Sequence, residues 1–257
     1  MTRLTILGSC SGTEPMPGRL HTSLALEAGG SLYFFDAGEG CSRTAHLSGL
    51  ELLKTRAIFL SHTHYDHIGG LPGLCWAIRK LWKRRDQDPL FMPIPLYIPE
   101  EKAWDGVSEM LSHTEGSFDY GKLIETRRIS EGVFYDDGVL TVAATPNGHL
   151  SRLPDGSPRS FSYRIETGGK RVVFSGDVKS PEELLPLLKD GCDVLLHETG
   201  HHKVADVCRF AESAKVSRLV FMHHGREILE ERPTVAEALS QAKIPVTVAR
   251  DGERIEW

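Results

Sequence analysis

Four apolar residues, Ala57-Ile58-Phe59-Leu60, run directly into Ser61-His62-Thr63-His64-Tyr65-Asp66-His67-Ile68-Gly69-Gly70. A run that is apolar at every position reads as a strand covered on both faces. The fold must therefore hold a sheet with a layer above it and a layer below. The strand, predicted over 57–61, ends in three histidines and an aspartate within six residues. His62 and His64 alternate by two, so in an extended chain both rings point the same way. Asp66 and His67 turn with the chain and face a second position. Gly69 and Gly70 let the backbone bend tightly before the next element. Imidazole and carboxylate together suit zinc, manganese or iron.

The same construction recurs downstream. His149 follows a strand predicted over 139–145, Asp177 follows one over 171–175, and His223 follows one over 218–222. Each is a ligand type placed just beyond an apolar strand, where a site on one rim of a sheet would collect its donors. Further strands are predicted over 4–7, 23–27, 32–36, 95–98, 161–166, 193–197 and 246–249. Helices are predicted over 71–83, 101–112, 181–188, 203–214 and 233–242. Early strands dominate and helices arrive in pairs, which favours two sheets with helices outside over a doubly wound parallel sheet. No linker, repeat or low-complexity stretch interrupts 1–257, so one domain is expected.

Composition narrows the function classes. Lys plus Arg is 30 against 35 for Asp plus Glu, a net charge of −5, which disfavours a general nucleic-acid coat protein. No apolar run approaches the roughly 18 residues that span a bilayer. The segment 1–8 lacks the apolar region of a secretory signal, so a cytoplasmic location is expected. Cys10, Cys41, Cys75, Cys192 and Cys208 are widely spaced with no CxxC pair, which points to free buried thiols.

Taken in order, Phe34-Phe35-Asp36-Ala37-Gly38, His62-x-His64-x-Asp66-His67, His149, Asp177 and His223 resemble the metallo-β-lactamase superfamily, over nearly the whole chain. The resemblance implies an α/β (α+β) fold, the αββα sandwich of two mixed β-sheets flanked by helices, with a dinuclear metal site at one edge. It implies that His62, His64 and His149 hold one metal and that Asp66, His67 and His223 hold the other. Asp177 would bridge them, and Asp36 would support the site from behind. His223 is preferred to His224 as the last ligand because it directly follows its strand.

Within the superfamily the chain is similar to the ribonuclease Z branch. The matching segments are Leu7-Gly8-Ser9-Cys10-Ser11-Gly12-Thr13-Glu14-Pro15 with Arg19 and Ser23, Phe35-Asp36-Ala37-Gly38-Glu39-Gly40, and Leu71-Pro72-Gly73-Leu74. His202, ahead of a helix, resembles that branch's catalytic histidine, with His201 the weaker candidate. His197 and Glu198, at a strand end, read as supporting or packing residues. Two features depart from the branch. Its tRNA-gripping arm, which follows a "YRI" segment, is absent here, because Tyr163-Arg164-Ile165 reaches Arg171 through five residues. Tyr65 stands where the branch has a smaller residue and would line the substrate pocket.

The resemblance implies a dinuclear metal-dependent hydrolase, with two divalent cations, zinc first and manganese or iron as alternatives. Its reaction would be attack of a metal-activated hydroxide on a small phosphodiester, or on a nucleotide or RNA substrate. Asp66 would orient the hydroxide or take its proton, and His202 would protonate the leaving alkoxide. Endonucleolytic tRNA 3′-processing is one alternative, and a lactonase or thioesterase activity is another. A non-hydrolytic redox or binding role is disfavoured by the intact ligand set. A homodimer and no membrane partner are expected. Two weaker features remain open. The basic stretch 79–85, with Trp82 inside it, fits a phosphate backbone or a solvated helix face. Ser9, Ser11, Gly12 and Thr13 fit a phosphate cradle or a tight turn.

Overall fold

Alternating burial along the strands sets the architecture. Between Ser31 and Ala37, Tyr33 and Phe35 belong to one apolar cluster and Phe34 to another. Between Lys170 and Phe174, Val172 and Phe174 join the first cluster and Val173 a third. Side chains that alternate across such strands and are buried on both sides require three apolar layers. A computed structural model, which describes residues 2–84, 93–114 and 118–257, has that arrangement.

The first sheet contains β1 (Arg3–Gly8), β2 (Ser23–Ala28), β3 (Ser31–Ala37), β4 (Thr55–Phe59), β5 (Ile94–Tyr97) and β6 (Ile124–Arg127). The second contains β7 (Gly132–Asp136), β8 (Thr141–Pro146), β9 (Phe161–Thr167), β10 (Lys170–Phe174), β11 (Val194–Glu198), β12 (Leu219–Met222) and β13 (Val246–Val248). The last strand, β14 (Arg254–Glu256), returns to the first sheet beside β1. Each sheet is half antiparallel and half parallel: β3 to β6 run parallel, and so do β10 to β13.

The helices are α1 (Cys41–Leu47), α2 (Tyr65–Ile68), α3 (Leu71–Arg84), α4 (Glu101–Ser112), α5 (Leu185–Leu188), α6 (Val204–Ser213), α7 (Arg226–Leu229) and α8 (Pro233–Gln241). α3 and α4 cover the outer face of the first sheet through Leu71, Leu74, Ile78 and Trp104. α6 and α8 cover the second through Val204, Val207, Ala211 and Ala238. The chain is thus a sandwich of two mixed sheets with helices on both outer faces.

Aromatic packing docks the sheets. Phe35 stacks on Phe59 at 4.9 Å, and Phe134 of β7 meets Phe59 edge-on at 5.9 Å. The buried Tyr163 hydroxyl donates to the Leu60 carbonyl at 2.7 Å, which ties the end of β4 to the opposite sheet. That end carries the first histidine motif.

Several expectations shift. The strand predicted over 57–61 stops at Phe59, and Ser61 is drawn into the site instead. The helix predicted over 181–188 divides into a 3₁₀ turn, Pro181–Leu184, and α5. Pro186 lacks the N–H that a continuous helix would use there. β6, β7, β14, α1, α2 and α7 were not anticipated. All five cysteines are buried and free. Among the described residues no helix is long and apolar enough to cross a membrane. β9 and β10 are joined by Gly168 and Gly169 at φ 57° and 73°. Both angles are the left-handed values of a two-residue hairpin turn, so no arm leaves the sandwich at this point.

Candidate metal centre

Four strand ends supply the site. β4 leads to His62, His64, Asp66 and His67, β8 to His149, β10 to Asp177, and β12 to His223. Two site residues that are not glycine have left-handed backbone, Asp36 at φ 56° and His223 at φ 47°. Such angles persist where the surroundings over-determine them, and they cluster at functional sites.

Asp36 organises the first motif from beneath. Its carboxylate accepts the Ser61 amide at 2.6 Å, the Ser61 hydroxyl at 2.7 Å and His67 Nδ1 at 2.7 Å. All three residues are fully buried. Because a carboxylate only accepts, His67 carries its proton on Nδ1 and presents Nε2 to the site. Asp36→Asn places an amide donor against at least one of these donors. Metal affinity is expected to fall about 10- to 100-fold, measured by competition with a chromophoric chelator. Unchanged affinity would remove Asp36 from this role.

His62, His64, His149 and Asp177 each bring one donor atom into a group whose atoms lie within 4.8 Å of one another, Asp66, His67 and His223 form a second such group, and Asp177 and His223 recur with the half-exposed His201 in a third. Asp177 lies between the first two groups. Its Oδ1 is 3.3 Å from His67 Nε2 and 3.3 Å from His223 Nε2. Its Oδ2 is 3.6 Å from His149 Nε2 and 3.8 Å from His62 Nε2. Asp66 Oδ2 approaches His223 Nε2 at 3.2 Å and His67 Nε2 at 3.3 Å.

The electrostatics show what this arrangement demands. Burial opposes charge on His67, yet Asp177 and Asp36 outweigh it and hold its pKa well above the usual value. His223 is likewise buried, and Asp177 and Asp66 push it up to about 9. Burial opposes the charge on Asp177, but His223 and His67 hold its pKa well below the carboxylate range. The carboxylates thus require buried positive charge. His62 Nε2, His67 Nε2 and Asp177 Oδ1 are buried without a hydrogen-bond partner. Orphaned imidazole and carboxylate atoms converging in a dry site fit divalent cations better than protons.

Above the donors lies a cavity of about 290 Å³ lined by Ser11, Gly12, Thr13, His64, Asp66, Asp177, Gly200, His201, His223, Gly225 and Arg226. Two glycines set its walls. A Cβ at Gly12 would stand 3.0 Å from the Asp66 carboxyl carbon, and one at Gly200 would stand 2.7 Å from the His223 ring.

Of the two candidate histidines, His201 and His202, it is His201 that borders the cavity, and it stacks on His223 at 5.8 Å. Its Nδ1 donates to Glu198 Oε1 at 3.0 Å, and its amide donates to Glu198 Oε2 at 2.8 Å. That hydrogen bond to Glu198 raises the His201 pKa. His202 is turned away, with Nε2 on the Val178 carbonyl at 3.0 Å. Glu198 Oε1 is also 3.4 Å from His202 Nε2, so it is the place in the cavity lining, together with the two Glu198 hydrogen bonds, that sets His201 apart. Tyr65 also departs from expectation: it is 68% exposed and does not line the cavity, because Asp66 and His67 occupy the inward side of α2.

His224 belongs to none of the donor groups, with Nε2 donating to the Ala249 carbonyl at 2.8 Å. Buried His197 is held by the Glu198 carbonyl at 2.6 Å and packs on Phe210. The basic stretch lies on α3, over the outer face of the first sheet, where Arg79 sits on the Phe118 ring at 4.8 Å. Arg85 lies outside the described residues. The sequence reading missed Gly200, Gly225 and Arg226. The available signal was their position beside the ligand histidines.

The Beta-lactamase superfamily domain matches residues 33–224. The chain belongs to that superfamily, in its ribonuclease Z-like branch. Ribonuclease Z of Pyrococcus horikoshii is 36% identical over 310 aligned positions, which take in 99% of this chain and 96% of the relative. That span exceeds the 257 residues here, so the relative carries segments this chain lacks. Human tRNase Z, short form, superposes with a TM-score of 0.72 at 25% identity, over 99% of this chain and 98% of that one. A metallo-beta-lactamase fold protein from Bacillus subtilis shares the fold over the full length of both chains, with a TM-score of 0.75 at 18% identity.

Proposed function

We propose that this protein is a dinuclear-metal phosphodiesterase acting on small phosphodiesters, or on nucleotide or RNA substrates, with zinc as the first choice of metal and manganese or iron as alternatives. The carrying observation is Asp177, whose two oxygens lie between two separate donor groups. His62, His64 and His149 would hold one ion and Asp66, His67 and His223 the other, with Asp177 shared. When bound, such a pair lowers the pKa of a water towards about 7 and neutralises charge on a phosphodiester.

The chain's own groups supply the rest. The Asp66 carboxylate borders the cavity and orients the attacking water or takes its proton. Glu198 orients His201 through Nδ1, which leaves Nε2 free to protonate the leaving oxygen. His202, committed to Val178, does not serve this step.

A second reading, tRNA 3′-end processing, is favoured by the ribonuclease Z and tRNase Z names of the relatives. The Gly168–Gly169 turn argues for the smaller substrate, since an extended RNA has no arm to hold it there. The test is a panel on zinc- and manganese-loaded protein: bis(p-nitrophenyl) phosphate, cyclic nucleotides, a precursor tRNA and a lactone, with Asp66→Ala as control. Diester cleavage without tRNA cleavage is expected. Accurate tRNA 3′ cleavage would establish the second reading, and lactone cleavage alone would overturn both.

A further inference from the structure

Arg226 borders the donor groups, and an acidic side chain of the same molecule already occupies it. The juxtaposition follows from backbone pairing. The His224 amide donates to the Ser9 carbonyl at 2.8 Å, and the Ser11 amide donates to the His224 carbonyl at 3.3 Å. The Ser11 hydroxyl also reaches the His224 carbonyl, at 2.7 Å. The loop after β1 and the turn after β12 are thereby held side by side at the mouth of the cavity. Just beyond these contacts stand Glu14 on one segment and Arg226 on the other, with carboxylate and guanidinium 2.5 Å apart. Thr13 and Arg226 both line the cavity.

We propose that Glu14 and Arg226 form a latch in which the Glu14 carboxylate stands in for a substrate phosphate, so that Arg226 is a phosphate-binding residue released only when an anionic diester displaces Glu14. The proposal deepens the phosphodiesterase reading and rests on it for its substrate class. Three features support it. Guanidinium binds phosphate and carboxylate through the same fork of N–H donors, so one can replace the other. Both side chains are substantially exposed, at 46% and 60%, and exposed pairs are weak enough to exchange. An anion bound in the cavity is placed to take over from Glu14, because Arg226 shares the lining with Asp66, Asp177 and His223. The latch therefore discriminates between ligands: a neutral ester gains nothing from opening it, whereas a phosphodiester exchanges one anion for another.

The test compares wild-type, Glu14→Gln, Arg226→Ala and the double variant, all metal-loaded. Kinetics are read on bis(p-nitrophenyl) phosphate and on neutral p-nitrophenyl acetate, and inorganic phosphate binding is read by calorimetry. Removing the competitor in Glu14→Gln is expected to lower the diester KM and the phosphate Kd about threefold to fivefold, the scale of an exposed ion pair. Its kcat should stay within about twofold. Arg226→Ala should raise both constants about tenfold or more, as loss of a charge-assisted hydrogen bond does. In the Arg226→Ala background, Glu14→Gln should have no further effect. An equal gain in that background would mean that Glu14 acts by general repulsion, and the latch would fall. Phosphate affinity unchanged in both single variants would also overturn it. If no form cleaves a diester, the phosphodiesterase reading fails, while the phosphate titrations still decide the latch.

Discussion

Zinc or manganese is expected to raise the unfolding temperature of the metal-free protein by about 5–10 °C, and Asp177→Asn is expected to abolish most of that rise. A ligand that binds only the folded state at 100 times its Kd stabilises it by about 2.7 kcal/mol. For a chain of this size each kcal/mol is worth about 2–4 °C. Asp177 is the residue to change because it is buried and belongs to both sides of the centre. Asparagine keeps its shape but removes the charge that draws His67 and His223 into their cationic forms. The metal-free variant should therefore fold, and scanning calorimetry with and without a chelator reads the difference directly. A full thermal rise in Asp177→Asn would take this carboxylate out of the centre.

The second large effect separates two neighbouring histidines. His201→Ala should lower kcat on a nucleotide diester by about 10²- to 10⁴-fold, the range for loss of a general acid. His202→Ala should lower it by less than about tenfold, since its ring lies outside the cavity lining, against the Val178 carbonyl and the Glu198 carboxylate. The leaving group supplies an internal control. p-Nitrophenolate departs without a proton, so the His201→Ala defect should shrink sharply on bis(p-nitrophenyl) phosphate. A defect of equal size on both substrates would assign His201 to substrate positioning instead. Equal losses in the two alanine variants would overturn the assignment made from the Glu198 contact.

The convergence of these donors was readable in the sequence because His62, Asp177 and His223 each follow a strand whose last residues are apolar and buried. The choice between His201 and His202 was not readable. It depends on how Gly200 lets the turn pass under His223 and on which ring then borders the cavity. Tyr65 was placed in the pocket from the resemblance, as a larger residue where the branch has a smaller one, and α2, four residues long, left no periodicity to show that its side chain faces outward. β7 and β14 escaped notice as short sheet-edge strands, the first with only Val133-Phe134-Tyr135 as its apolar run and the second with Ile255 alone between charged residues. Glu14 and Arg226 lie 212 positions apart and are joined only by the pairing of two loops. No local pattern could have linked them.

The donors of the first two groups come from both halves of the sandwich, His62 and His64 with His149, and Asp66 and His67 with His223. An unfolded chain keeps only the short-range set around His62, so tight chelation waits until distant strands have met. A coloured ion such as cobalt would then report not that the chain has collapsed, but that its two sheets have closed face to face. Its release on heating should coincide with their parting.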